Sequence, residues 1–397
     1  MSRVQRALWR DASVSAAVAG FVAVLVGFTS SVAIVFQAAT AFGATPAQIG
    51  SWMWALGIGM GLCSILPSLW LRKPVMIAWS TPGAAVLATA GAGYGMGDAV
   101  GAFVVCAALI VLVGATGWFE RVMDRLPMSL AAALLAGVLA RFGLQAFGAL
   151  QTQFALVGTM LAAYLVLRRL SPRYAVVGVL LVGSALAAAT GQMRWEGVSL
   201  GLAKPVWTTP SFSVGAVVGL ALPLFVVTMA SQNLPGVAAI RAAGYEMPVS
   251  KIVTLTGVAT LVLAPFGAFA LNLSAITAAI CMGREAHPDP DRRYVAAVSC
   301  GAIYCLIGVF GATVTGVLAA FPRELVVAIA GLALLGSIGS GLAVALKDEA
   351  QREAALVTFL VTLSGLTLAG IGSAFWGVVA GALALFVQQW RPRSLRR

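Results

Sequence analysis

Apolar stretches long enough to cross a bilayer follow one another along this chain, and charge is confined to the short links between them. A spanning helix needs roughly 20 apolar residues. On that measure unbroken spans are predicted over 14–39, 49–70, 98–118, 128–147, 152–167 and 174–190. A second series follows over 213–239, 252–265, 294–318, 324–346, 354–370 and 373–390. Two further segments, 75–92 and 268–283, are apolar but interrupted, at Ser80-Thr81-Pro82-Gly83 and at Asn272-Leu273-Ser274. That makes fourteen crossings, with segments 3 and 10 broken. Composition excludes a soluble alternative. Only 10% of the 397 residues are charged, against roughly 25% in soluble domains.

The charged links test the span count. Of the 25 Lys and Arg residues, 21 fall in one alternate set of links. Only Arg194, Lys204 and Arg323 fall in the other, and Arg141 lies within a span. Basic links stay in the cytoplasm, so both termini are expected there. The net charge of +12 is therefore topological, and no nucleic-acid motif accompanies it. Trp9, Trp70, Trp118 and Trp390 at cytoplasmic ends, and Trp195 and Trp207 in the long outer link 191–212, read as interface anchors. The basic start, Met1–Asp11, runs into a full-length span, so no cleavable signal peptide is expected.

The two series resemble each other weakly. Thr40-Ala-Phe-Gly43-Ala-Thr-Pro46 matches Arg241-Ala-Ala-Gly244-Tyr-Glu-Met-Pro248 with one insertion, which sets Ser30-Ser31 opposite Ser231-Gln232. Seven spans per copy is odd, so the second copy must be inverted, as in many secondary transporters. The broken segments sharpen this. Thr81 is a good N-cap with Pro82 at the first helical position, and Asn272 or Ser274 can cap the second half helix. An extended stretch should precede each half helix. Both N-termini then meet near the midplane, where free N–H groups and the helix dipoles favour an anion.

Few polar residues lie inside the spans. Gln232 and Asn233 are read as ligand contacts, with Thr29, Ser30, Ser31 and Gln37 opposite them in the repeat. For Arg141, snorkelling, pairing with a carbonyl and a place on the transport path stay open, a structural role being preferred. No Asp or Glu occupies the centre of a span, so no relay of buried carboxylates is visible. His287 reads as a solvated loop residue. Cys63, Cys106, Cys281, Cys300 and Cys305 lack metal or disulfide spacing and read as reduced packing residues. Gly57-Ile-Gly59-Met-Gly61 reads as close helix packing and Gly91-Ala-Gly93-Tyr-Gly95 as a turn. Neither has the strand–turn–helix context of a nucleotide site. No enzyme, cofactor or metal motif is present in the sequence, so none is expected to be used.

Longer strings are more specific. Val26-Gly-Phe-Thr-Ser-Ser-Val-Ala-Ile-Val-Phe-Gln37, Ala78-Trp-Ser-Thr-Pro-Gly-Ala84, Thr228-Met-Ala-Ser-Gln-Asn-Leu-Pro-Gly236, and Ala264 to Asn272 through Cys281-Met-Gly-Arg-Glu-Ala-His287 resemble the benzoate/proton symporter (BenE) family of bacterial inner membranes. The resemblance covers nearly the whole chain. It implies proton-driven uptake of benzoate, with another aromatic or inorganic anion as the alternative cargo. It also implies an all-α, 7+7 inverted-repeat fold shared with nucleobase and sulfate carriers. A core domain, 1–119 and 213–318, would then carry the site. A gate domain, 120–190 and 319–397, can serve as a homodimer interface. Nucleobase carriers place a carboxylate on the eighth span, where this chain has Gln232, and a neutral amide suits an anionic substrate. The carboxylate is expected near Thr81, Gly83, Ser274 and Ala275, with Gln232, Asn233 and Ser31 adding hydrogen bonds. Phe28, Trp79, Phe269 and Leu273 are expected to wall the ring.

Overall fold

Local chemistry at the ends of the apolar runs decides where helices begin and break. The structure is a computed structural model and describes residues 10–389 apart from 30, 92, 172–173, 196–200 and 369–370. Trp9, Ser30, Trp390, the Thr29 side chain and the basic tail therefore lie outside the described residues. The first predicted span is two helices, α1 (Val14–Thr29) and α2 (Val32–Ala41). The reason lies at Ser31, whose hydroxyl donates back to the Gly27 carbonyl at 2.8 Å, a bond that competes with continued helix. Next, α3 (Pro46–Leu71) opens on a capping box. The Gln48 amide donates to Thr45 Oγ1 at 3.3 Å, the Thr45 amide donates to Gln48 Oε1 at 2.9 Å, and Pro46 begins the helix.

Strand β1 (Ile77–Trp79) leads into the half helix α4 (Thr81–Ala90), followed by α5 (Met96–Ala115), the short α6 (Trp118–Met123) and α7 (Met128–Gly148). Then come α8 (Phe154–Leu170) and α9 (Ala175–Ala189). After the 191–212 link, Val214–Ala242 forms α10, which carries two π-helical stretches, Val217–Ala221 and Met229–Asn233. Next are α11 (Val249–Leu263), strand β2 (Leu271–Leu273), the half helix α12 (Ile276–Cys281), α13 (Tyr294–Ala319), α14 (Arg323–Ala345), α15 (Arg352–Ser364) and α16 (Ser373–Gln389). Among the described residues, seven helices are long and apolar enough to cross a membrane. Shorter apolar helices lie at 14–28, 175–189 and 375–388.

Helix α13 packs along α3 and α1, and α5 packs on α11. On the other flank α7 packs against α14 and α15, and α8 against α9. The α3–α13 contact is close because glycines meet there. A Cβ on Gly57 would lie 2.6 Å from the Gly308 nitrogen, and one on Gly61 would lie 2.6 Å from the Gly301 carbonyl oxygen. All five cysteines are free thiols, four of them buried.

The two extended stretches do more than lead into half helices. They cross and pair antiparallel, in the register Ile77 with Leu273, Ala78 with Asn272 and Trp79 with Leu271. A two-stranded ladder leaves both outer edges unpaired, and unpaired backbone at membrane depth is costly. Neighbouring helices supply the partners. Ser64 Oγ accepts from the Ile77 amide at 3.0 Å and Ser68 Oγ from the Val75 amide at 2.9 Å. On the β2 side, Thr260 Oγ1 accepts from the Leu271 amide at 3.1 Å and Asn233 Oδ1 from the Leu273 amide at 3.0 Å.

Charge pairs gather at the end of the bundle that carries the basic links. Asp11 is buried among Arg72, Arg10 and Tyr294, whose hydroxyl donates to it at 3.0 Å. Burial pushes its carboxyl pKa up, but the Tyr294 hydroxyl and the arginines Arg10 and Arg72 outweigh burial and hold it below the ordinary carboxylate value. Arg168 pairs with Glu285, and Arg241 pairs with Asp124 at 2.5 Å. His287 is not the solvated residue its loop position suggests. It is buried, and its Nδ1 accepts from the Asp289 amide at 3.0 Å while Arg293 Nε donates to its carbonyl at 2.7 Å.

Candidate functional site

The half helices meet at a cavity of about 1320 Å³. Typical ligand pockets hold roughly 300–1,000 Å³, so this one comprises a site and its access path. One wall is made by Ala78, Trp79, Thr81 and Pro82 at the start of α4, by Ser274, Ile276 and Thr277 at the start of α12, and by Ser231 and Gln232 on the second π stretch of α10. Gly27, Ser31, Met60 and Tyr304 complete it. The facing wall is Val138, Arg141, Phe142 and Gln145 of α7, with Val326 and Val327 of α14 and Thr362, Gly365 and Ser373 beyond. The cavity reaches the loop residues Gln153, Gln192, Arg194 and Pro322 to Glu324. Its described charged lining is three arginines, Arg141, Arg194 and Arg323, against one carboxylate, Glu324. Such a lining favours anions.

Five of the expected site residues line the cavity: Thr81, Ser274, Gln232, Ser31 and Trp79. Gln232 is half-buried, and its amide makes no hydrogen bond among the described residues, so it is free for a ligand. Ser31 serves Trp79: its hydroxyl accepts the indole N–H at 3.0 Å. That bond, together with Phe28 at a ring-centroid distance of 5.4 Å, fixes the Trp79 ring in the wall. Phe28 is therefore a support behind the wall. Gln37 is exposed on α2, away from this lining.

The other expectations need correction. The cap of α4 is Ser80, one residue before Thr81. Its Oγ accepts from the Gly83 amide at 3.1 Å and from the Thr228 hydroxyl at 3.0 Å. The Gly83 amide is thus already used, and Gly83 is absent from the described lining. A Cβ there would lie 2.7 Å from Ser80 Oγ and 2.6 Å from Leu224 Cδ1, so glycine lets the cap close. Asn233 is wholly buried and belongs to the strand edge, as described above. Asn272 sits inside β2 with its Nδ2 donating to the Ala270 carbonyl at 2.9 Å; the N-cap position of α12 is Ala275, and Ser274, one residue before it, accepts from the Thr277 amide at 3.4 Å. Leu273 packs on Gly236, and Ala275 is buried beside the cavity without being part of the described lining. Phe269 lies in a separate cluster, with Trp52 at 5.7 Å and Phe103 at 5.8 Å between centroids.

Thr277 was not foreseen. It lines the cavity, its residue is 1% exposed, and its Oγ1 has no hydrogen-bond partner among the described residues. Its position three residues after Ser274, on the first turn, was the available signal. A first-turn hydroxyl has no helical carbonyl four residues back to bond.

A sequence profile described as "Benzoate membrane transport protein" matches residues 10–387. A relative of that same description from Acinetobacter baylyi (strain ATCC 33305 / BD413 / ADP1) is 39% identical over 387 residues, covering 98% of each chain. The chain belongs to the benzoate membrane transport family. The Escherichia coli (strain K12) inner membrane protein YdcO is 52% identical over 369 residues, 93% of this chain and 94% of that one. Among solved structures, SLC26A9 gives a TM-score of 0.48 at 12% identity, covering 92% of this chain and 67% of that one. The transmembrane domain of the cyanobacterial bicarbonate transporter BicA gives 0.45 at 12% identity, covering 94% and 96%. Likeness at that level carries no weight for mechanism. The transporter is a multi-pass inner-membrane protein that moves a small molecule, and its family is not one of enzymes.

Proposed function

We propose that the transporter imports benzoate with protons across the inner membrane, by alternating access of a core domain (1–119 and 213–318) against a gate domain (120–190 and 319–397). The observation that carries this reading is the cavity wall itself. Thr81 and Gln232 offer hydrogen-bond donors from two elements beside the indole of Trp79, with the unpartnered Thr277 hydroxyl buried behind them and no carboxylate among the described residues of that wall. Donors suit a carboxylate, and the indole with Met60 and Ile276 suits an aromatic ring. The donors on α4 and α12 are joined through the β1–β2 ladder. They would therefore travel together when the core moves past the α7 and α14 wall. The alternation of basic links supports cytoplasmic termini, which makes the open end of the cavity periplasmic. A homodimer through the gate domain completes the reading.

Uptake of labelled benzoate into proteoliposomes tests it, with an imposed inward proton gradient and with that gradient collapsed by an ionophore. Empty liposomes run in parallel, because neutral benzoic acid crosses bilayers unaided. Protein-dependent accumulation that needs the gradient is expected. Saturable uptake that only equilibrates would remove the symport part, and no uptake above empty liposomes would refute benzoate as cargo. The three arginines on the lining suit anions in general and so favour one second reading, another aromatic or inorganic anion, which competition by substituted benzoates and by sulfate would detect.

A further inference from the structure

Arg141 stands fourteenth in the 21-residue α7, some 10 Å of helix rise before its end. It is exposed into the cavity from the wall facing the half helices. Among the described residues it makes no hydrogen bond and no ion pair. Charged groups inside membrane helices pair with one another or with carbonyls, so an unpaired one on a cavity wall needs another reason to be there. The neighbouring backbone keeps room for it. Gly365 ends α15 with φ +70°, and a Cβ there would lie 2.8 Å from Arg141 Cζ and 2.9 Å from Nη2. The other charged groups on the described lining, Arg194, Arg323 and Glu324, sit at the loop end of the cavity.

We propose that Arg141 is a substrate-binding residue on the gate wall, where its guanidinium takes the carboxylate of the incoming acid before the half helices do. A guanidinium holds a carboxylate through two parallel N–H bonds. It places no demand on the rest of the molecule, so Arg141 selects for the carboxylate and Trp79 for the ring. Phe142 and Val138 beside it offer the ring an apolar surface at this first station. Monocarboxylates are then accepted and the corresponding amides and alcohols rejected. The inference rests on the benzoate reading above and assigns a second contact within it.

The test is benzoate uptake by Arg141→Gln, Arg141→Lys and Gly365→Ala in proteoliposomes, at low and high ionic strength, with thermal melting of each purified variant. Losing a charge-assisted hydrogen bond is worth about 1.5–3 kcal/mol, or a KM raised about tenfold or more. Arg141→Gln is expected to show that rise and to lose the salt dependence of KM that the wild type has. Arg141→Lys is expected to keep the salt dependence with a smaller rise. Gly365→Ala is expected to raise KM with Arg141 still present. Wild-type uptake with an unchanged KM and salt profile in Arg141→Gln would overturn this inference alone. A lowered melting temperature with unchanged KM would overturn it too, in favour of a structural arginine. A wild type without saturable benzoate uptake would overturn the benzoate reading and this inference together.

Discussion

Asn233 and Gln232 are adjacent amides with opposite expected roles, and Asn233→Ala separates them. Asn233 Oδ1 accepts from the Leu273 amide at 3.0 Å, and its Nδ2 lies 3.2 Å from Met229 Sδ. The residue is wholly buried. Truncation leaves the Leu273 N–H without an acceptor in a dry interior, which costs about 1–3 kcal/mol. The void adds about 1 kcal/mol, for a total of about 2–4 kcal/mol. Domains of 150–250 residues shift by about 2–4 °C per kcal/mol, and longer chains by less. Asn233→Ala is therefore expected to melt roughly 3–6 °C below the wild type. The assay is thermal unfolding in detergent, read by a thiol-reactive fluorophore as the buried Cys63, Cys106, Cys281 and Cys300 become exposed. Benzoate KM, measured well below the transition, is expected to stay within about twofold, because a strand-edge partner does not touch the ligand. Gln232→Ala is expected to do the reverse, melting as the wild type does with KM raised about tenfold. An Asn233→Ala protein that melts normally but binds benzoate ten times more weakly would refute the assignment.

Three further outcomes are expected. Gln232→Glu sets a carboxylate beside a bound carboxylate and weakens benzoate binding at neutral pH; unchanged affinity in an equilibrium titration would move the ligand elsewhere. Gly83→Ala drives a methyl into Ser80 Oγ and Leu224 and lowers stability by about 1–3 kcal/mol, so a melting temperature equal to the wild type's would contradict the tight cap. Asp11 has a native pKa below its ordinary value of 3.8. Its stabilisation is therefore fully present above that value and lost as pH falls through the native one. Asp11→Asn should lower the melting temperature at pH 7, with the gap to the wild type closing below about pH 4; a gap of constant size down to pH 3 would argue against the charge.

How much of this could be read in advance varies residue by residue. The half helix at 81 was legible because Pro82 permits few positions and the small residues around it admit no ordinary span. Which residue caps it was not, since Ser80 and Thr81 are both capping types. The choice is made by Thr228, 148 residues away, which hydrogen-bonds Ser80. Gln232 and Asn233 share their chemistry. They part because successive helical residues point to different sides of the helix, one toward the cavity and one toward β2. The ring wall was half legible for a similar reason. Trp79 and Phe269 occupy comparable places before the two breaks, yet Trp79 is held in the cavity by Ser31, and Phe269 is drawn into the Trp52–Phe103 cluster. Arg141 could be located on its span but not interpreted, because its meaning depends on the room left by Gly365.

The pairing of Ile77–Trp79 with Leu271–Leu273 also bears on how such a chain is born. Ribosomes add roughly 5–20 residues per second, so about 190 residues of further synthesis keep the first strand waiting roughly 10–40 s for the second. Ser64 and Ser68 can serve the Ile77 and Val75 amides during that interval, but the ladder itself is open. The nascent first half is thus an unfinished object at the insertion machinery, and a product truncated in the 191–212 link stays unfinished.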